Sequence, residues 1–215
     1  MDTVPQKCIP ITVIEATTYL IRLREIGHTT VRQPKEDTYY EKKQLSVQTQ
    51  VIGKYNIEEQ ILQELYNKWH TSDSQIIWVI DGGLKDQVGT SSYAMFFPLR
   101  IQPIISGYAV EYQPRVDASS TRQELLGQLG IKYWLSKLEN RWGKPRNGVK
   151  IALITDSQAS IDIMENMPNI TGIKDTLRPE MDVAMELYQQ RLSHNWCPVE
   201  CLQSGKSYRG NRGTR

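Results

Sequence analysis

The sequence predicts an α/β domain built on one mixed sheet, and three observations carry that prediction. Ile76-Ile77-Trp78-Val79-Ile80 is apolar at every position, as a strand covered on both faces must be. Behind it the pattern runs through further strand-like segments, a long helical period, another short apolar strand, two helical periods and a last strand, an order typical of a mixed sheet with helices on both faces. Ahead of it, Thr71-Ser72-Asp73-Ser74 is a cluster of breakers that separates this pattern from a part with purely helical spacing.

The elements follow in order. In the N-terminal part, Thr12 can cap a helix starting at Val13, with Glu15 placed as its capping-box partner. Val13, Ala16, Thr17, Leu20 and Ile21 form its apolar face, and Gly27 stops it. Residues 29–50 are polar and read as a linker. Asn56-Ile57-Glu58-Glu59 is a second cap signature, followed by Ile57, Ile61, Leu62, Leu65, Tyr66 and Trp69 at helical spacing. The expected division is a mostly helical extension over 1–73, the α/β domain over 74–203 and a basic tail over 204–215.

Within the domain, the first strand is Ile76 to Ile80, and Gly82-Gly83 through Gly89 reads as a turn. Strands Ser92 to Leu99 and Ile105 to Tyr112 follow, divided at Pro103. Ser119-Ser120-Thr121 opens a helix carrying Leu125, Leu126, Leu129, Tyr133, Trp134 and Leu138, broken by Gly143-Lys144-Pro145. Val149 to Ile154 is a buried strand. Helices from about Ala159 and from Leu177 to Leu192, then a strand from Pro198 to Leu202, complete a five-stranded sheet.

Bulk properties narrow the function classes. The 215 residues suit one domain with an extension, or two small domains. A formal net charge of +2 creates no global field for nucleic acid, so any such partner must meet local patches. No apolar run approaches the ~20 residues that span a bilayer, and the N-terminus lacks the order of a secretory signal. An intracellular protein, cytoplasmic or nuclear and without a membrane partner, is the expectation. Cys8, Cys197 and Cys201 are too few and odd in number for a disulfide framework. His194, Cys197 and Cys201 lack the fourth ligand that a structural zinc site needs.

Three carboxylates stand where chemistry is usually placed. Asp81 and Asp156 each end a buried strand, and sites in open α/β sheets lie beyond the carboxyl ends of strands. Glu124 lies one turn inside the helix opened by Ser119-Ser120-Thr121, where it can face the same edge. Convergent carboxylates repel one another unless a cation neutralises them, and an all-oxygen set suits Mg²⁺ or Mn²⁺. Taken singly, Asp81 before two glycines is also an ordinary turn former, and Asp156 with Ser157 an ordinary helix cap.

Val79-Ile80-Asp81-Gly82-Gly83, Arg122-Gln123-Glu124-Leu125-Leu126 and Ile154-Thr155-Asp156-Ser157-Gln158, in that order, resemble the ribonuclease H family. That family has an Asp-Gly at the end of its first strand, a Glu in its first helix and a Thr-Asp-Ser after its fourth strand. Gly89 with Ala94 resembles its second strand, and the likeness runs over about residues 76–200, nearest to retroelement-type domains. The resemblance implies a ribonuclease H-like fold, with Asp81, Glu124 and Asp156 as catalytic residues and as ligands of two Mg²⁺ (or Mn²⁺) ions. Water would attack the RNA strand of an RNA–DNA hybrid. It also implies that residues 1–70 correspond to a preceding region of a retroelement polyprotein. The family adds a fourth carboxylate from a C-terminal helix, with a histidine shortly before it. After Glu200 this sequence has no Asp or Glu, which implies impaired hydrolysis.

Nucleic-acid contacts are expected at Ser119, Ser120, Thr121 and Arg122, because free N–H groups at a helix start attract phosphate and the family places substrate there. Ordinary capping by Ser120 is the alternative. Lys132, Lys137, Arg141, Lys144, Arg146 and Lys150, interleaved with Trp134 and Trp142, form either a phosphate track or a solvated helix face. Gly205-Lys206-Ser207 is not a phosphate loop, since Glu200 holds the position that requires glycine. Two functional readings follow: a metal-dependent nuclease, or an inactive module of the same fold that binds nucleic acid or protein.

Overall fold

Side chains alternate across a strand, so a strand apolar at every position needs a separate core on each of its faces. The computed structural model, which describes residues 18–25, 52, 54–57, 59–85, 88–112, 119–167, 180–193 and 199–203, has two such cores. Strand β1 spans Lys54–Ile57, β2 Gln75–Lys85, β3 Val88–Phe96, β4 Ile105–Tyr112, β5 Lys150–Thr155 and β6 Val199–Gln203. Their order across the sheet is β1-β4-β3-β2-β5-β6. β2, β3 and β4 form an antiparallel meander, β5 runs parallel to β2, and β6 runs parallel to β5.

On one face, Ile76, Trp78 and Ile80 of β2 join Tyr93 and Met95 of β3 and Ile151 and Leu153 of β5. Four helices supply most of the rest of that core: α2 (Glu59–Trp69), α3 (Ser120–Trp142), α4 (Gln158–Asn166) and α5 (Met181–Ser193). On the other face Ile77, Val79, Ala94, Phe96 and Ile154 meet Tyr19, Leu20 and Leu23 of a short helix, α1, at 18–25.

The long helix α3 lies close against the sheet because Gly127 has no side chain. A Cβ there would stand 2.8 Å from Ser91 Oγ and 3.2 Å from Ile80 Cγ2. Farther along α3, Trp134 Nε1 donates to the Tyr93 hydroxyl at 3.0 Å, which donates to the Ile52 carbonyl at 2.7 Å. Each of these polar groups is buried, so pairing them avoids a desolvation penalty of about 1–3 kcal/mol apiece.

Several expectations are corrected. The sheet has six strands, not five. The extra one is β1, which covers the open edge of β4 in the register Lys54↔Tyr108 to Ile57↔Ile105. Its Asn56-Ile57 had the look of a helix cap, but an exposed strand edge is a stronger local attractor for backbone N–H and C=O groups; α2 begins at Glu59. Gly82, Gly83 and Gly89 lie in strands, and the β2–β3 hairpin pairs out to Lys85↔Val88. The strand expected from Ser92 to Leu99 is β3, which begins at Val88 and ends at Phe96, since Leu99 has φ 64 and sits 89% exposed in a turn. In α1 the buried face is Tyr19, Leu20 and Leu23, while Ile21 is exposed. The polar linker at 29–50 and the basic tail at 204–215 lie outside the described residues, as do the expected helix start at Val13 and the stop at Gly27.

Leu65 and Trp69 of α2 are fully buried in the same core as β2, and Trp69 Nε1 donates to the Gly143 carbonyl at 2.9 Å. Truncating Leu65 to Ala is expected to cost about 2–5 kcal/mol in urea unfolding. The loss should appear as one shifted transition by both far-UV circular dichroism and tryptophan fluorescence. Two separate transitions would show that α2 does not share its core with the sheet.

Candidate functional site

The site arises where a parallel pairing stops. β2 and β5 run side by side only as far as Val79↔Ile154, and β5 ends at Thr155. β2 continues to Lys85, paired on its other side with β3. Asp81 is thus in mid-strand, not at a strand end, but it stands just beyond the last parallel pair. Asp156 follows the end of β5 directly. The two aspartates flank the notch left where β5 stops. Asp81 has the parity of Ile77 and Val79, so it belongs to the face covered by α1.

Glu124 reaches the notch from the other side. A Cβ on Gly82 would lie 2.5 Å from the Glu124 backbone nitrogen and 2.8 Å from the Gln123 carbonyl carbon, so only glycine lets α3 approach β2 this closely. The Gly82 N–H donates to Glu124 Oε1 at 2.6 Å, and the Thr155 hydroxyl donates to Oε2 at 2.8 Å. Thr155 Oγ1 in turn accepts from the Ser157 N–H at 3.1 Å, which leaves its proton for the glutamate. Ligand oxygens of Asp81, Glu124 and Asp156 all lie within 4.8 Å of one another.

Electrostatics separate these three groups. Glu124 is 3% exposed. Burial pushes its carboxyl up from 4.5 to about 7, the donors at Gly82 and Thr155 pull it back, and Asp156 and Asp81 push it further up. Asp81 and Asp156 are more open and share a cation already. Arg24 of α1 places Nη2 2.8 Å from Asp81 Oδ1 and 2.6 Å from Asp156 Oδ2, with Nε 3.2 Å from Asp81 Oδ1. The hydrogen bond to Asp81 is the largest influence raising the guanidinium's already high pKa. Three hard carboxylates converging on a point that holds a guanidinium are a donor set suited to a divalent cation such as Mg²⁺ or Mn²⁺.

The residues expected to touch nucleic acid are divided. Ser119, not Ser120, is the N-cap of α3: its hydroxyl accepts from the Arg122 N–H at 3.2 Å. Ser120 is exposed and Thr121 half-buried at the helix start. Arg122 is turned inward. Its guanidinium binds Glu111 of β4 at 3.0 Å through both Nε and Nη2, and it also binds Asp182 of α5. Gln123 adds a bond to Glu111 at 2.9 Å. This network, centred on the buried Arg122, ties α3 to β4 and α5. In the basic stretch Lys132 is buried and Trp134 is core, whereas Lys137, Arg141, Lys144 and Arg146 are exposed.

Sequence reading missed Arg24. It is 57 residues from Asp81 and 132 from Asp156, and nothing in its local pattern points to either. The only signal was its place beside Leu20 and Leu23 on a helix that must cover something.

The chain matches no family model and no curated protein. Among solved structures it is similar to a ribonuclease H1 isolated from compost by a metagenomic approach, in complex with an RNA/DNA hybrid: 11% identity over 60% of this chain and 83% of that one, TM-score 0.42. It is also similar to ribonuclease H1 of Halobacterium salinarum (12% identity, 59% and 82%, TM-score 0.36) and to the ribonuclease H domain of prototype foamy virus (6% identity, 60% and 78%, TM-score 0.38). What the described residues themselves form is a mixed α/β sheet with helices, with Asp81 on β2, Glu124 on α3 and Asp156 directly after β5. Likeness at this level transfers no residue role, and the site is read from its own geometry.

Because the folded protein favours protonated Glu124, this group's contribution to stability is complete below pH 4.5 and is lost as pH rises through about 7. At ~1.4 kcal/mol per pH unit the loss is about 3 kcal/mol. In metal-free buffer, urea midpoints of wild type and Glu124→Gln should therefore move apart between pH 4.5 and 7, with wild type falling. Parallel profiles over that range would show that the burial is not felt.

Proposed function

We propose that this protein is a divalent-metal-dependent nuclease of ribonuclease H type, acting on the RNA strand of RNA–DNA hybrids. The observation that supports this most is the convergence of Asp81, Glu124 and Asp156 within 4.8 Å from three separate elements. Repulsion among three carboxylates is a cost that a merely structural turn and cap would not incur. The substrate class rests on the three quoted motifs, and the exposed start of α3 at Ser120 supports a phosphate contact there. No helix among the described residues is long and apolar enough to cross a membrane.

Asp81, Glu124 and Asp156 would hold the cation, Mg²⁺ or Mn²⁺, and the family resemblance implies a pair of them. When bound, such ions supply an activated water and neutralise charge on the leaving oxygen of a phosphodiester. The chain's own part is positional. Gly82 N–H and the Thr155 hydroxyl fix both oxygens of Glu124, so its carboxylate cannot rotate out of the notch. Glu124 must give up its proton to serve as a ligand, and burial, which pushes its carboxyl up to about 7, moves that loss to near neutral pH. The aspartates are the more open members of the set, with side chains 27% and 38% exposed beside Arg24 of α1.

One observation favours the second reading, an inactive module that binds nucleic acid or protein. Among the described residues no fourth acidic group joins the cluster, and the group that does join it is the cation Arg24. Incubation of folded wild type with a labelled RNA–DNA hybrid and Mg²⁺ or Mn²⁺ decides between the two. Cleavage of the RNA strand is expected, with single-stranded RNA and duplex DNA left intact. Asp81→Asn should lower it on the order of 10²-fold or more, as loss of a ligand outweighs loss of a supporting group. No cleavage by folded wild type with either ion would leave the binding-module reading.

A further inference from the structure

The carboxylate notch is occupied by the protein itself. One nitrogen of Arg24, Nη2, lies between Asp81 Oδ1 at 2.8 Å and Asp156 Oδ2 at 2.6 Å. A divalent cation held by both aspartates would compete with the guanidinium for these carboxylate oxygens. Arg24 is delivered there by α1, which is seated on the second face of the sheet. Leu23 is 1% exposed and Leu20 3%. The Tyr19 ring lies 5.1 Å from that of Phe96, and its hydroxyl accepts from the Leu99 N–H at 3.1 Å.

The strengths of these contacts are unequal. Arg24, Asp81 and Asp156 have side chains 46%, 27% and 38% exposed, so each ion pair is solvent-screened and contributes little alone. The buried apolar residues of α1 supply most of the docking free energy. Among the described residues α1 is a short element at the margin of the fold, seated by three buried apolar side chains, the Tyr19 hydroxyl and two solvent-screened ion pairs, and such margins are where local opening is easiest.

From this we infer that α1 is a built-in stopper: it docks Arg24 onto Asp81 and Asp156 as an internal counter-ion, and a divalent cation gains the site only when α1 lifts. The inference rests on the metal-binding reading above and adds its regulation. An affinity governed by the fraction of molecules with the site open is lowered in proportion to that fraction. Removing the stopper therefore raises affinity without adding a ligand.

Calorimetric titration of the full chain with Mn²⁺ tests this, using wild type, Arg24→Ala and Leu23→Ala. Leu23→Ala loosens α1 while leaving every charge at the notch in place. Both variants are expected to bind Mn²⁺ about tenfold or more tightly than wild type. Hydrogen exchange of the amides at 18–25 in wild type should accelerate when Mn²⁺ is added. Equal affinity in all three proteins would overturn the stopper while leaving the metal site standing. Tighter binding by Arg24→Ala alone, with exchange at 18–25 unchanged, would also overturn it, because charge removal without helix release would then explain the gain. No Mn²⁺ binding by any of the three would overturn the metal-binding reading, and the stopper with it.

Discussion

The close approach of α3 to β2 at Gly82 is the constraint on which the rest depends. A side chain at that position would push the first turn of α3 off the strand by collision with the backbone of Gln123 and Glu124. With hydrogen alone there, the Glu124 carboxylate enters the sheet and takes the Gly82 N–H and the Thr155 hydroxyl. An N–H that would otherwise face a missing strand partner is thereby satisfied. The same contact converts a break in sheet pairing into a defined acidic notch.

The sheet's two cores have different weights. One is thick, with four helices, buried tryptophans and a polar chain from Trp134 through Tyr93 to Ile52. It is further braced by Arg122, which joins Glu111 to Asp182 behind the site. Among the described residues the other core is closed by α1 alone. Glu124 comes from the thick side, and Asp81 faces the thin one. The site thus has a thick, four-helix floor on one side and, among the described residues, a single short helix on the other.

Charge accounting explains why the notch recruits Arg24. Two ionised aspartates near a buried glutamate cannot all remain charged without a neighbour of opposite sign. The protein has two ways of relieving this without metal, and both are present. Glu124 keeps its proton to about pH 7, and a guanidinium bridges the aspartates. On the proposed metal-binding reading, each would be undone by the same event, arrival of a doubly charged ion.

Much of this was legible in the sequence, for physical reasons. Continuous apolarity at 76–80 determined a strand buried on both faces, and the leucine spacing of 125–138 determined the helix behind it. Three short motifs placed Asp81, Glu124 and Asp156 on elements that converge. What only the tertiary structure decided were the non-local contacts. β1 joined the sheet because β4 had an edge to cover, although Asn56-Ile57 carried a local helix signal. Gly82 and Gly83 stayed in a strand because α3 needed the room, although glycine pairs locally read as turns. Arg122, exposed by its place at a helix start, was drawn inward by Glu111 and Asp182. Arg24 met its partners 57 and 132 residues away. Periodicity records which face of an element is buried; it carries no information on which distant charge that face will meet.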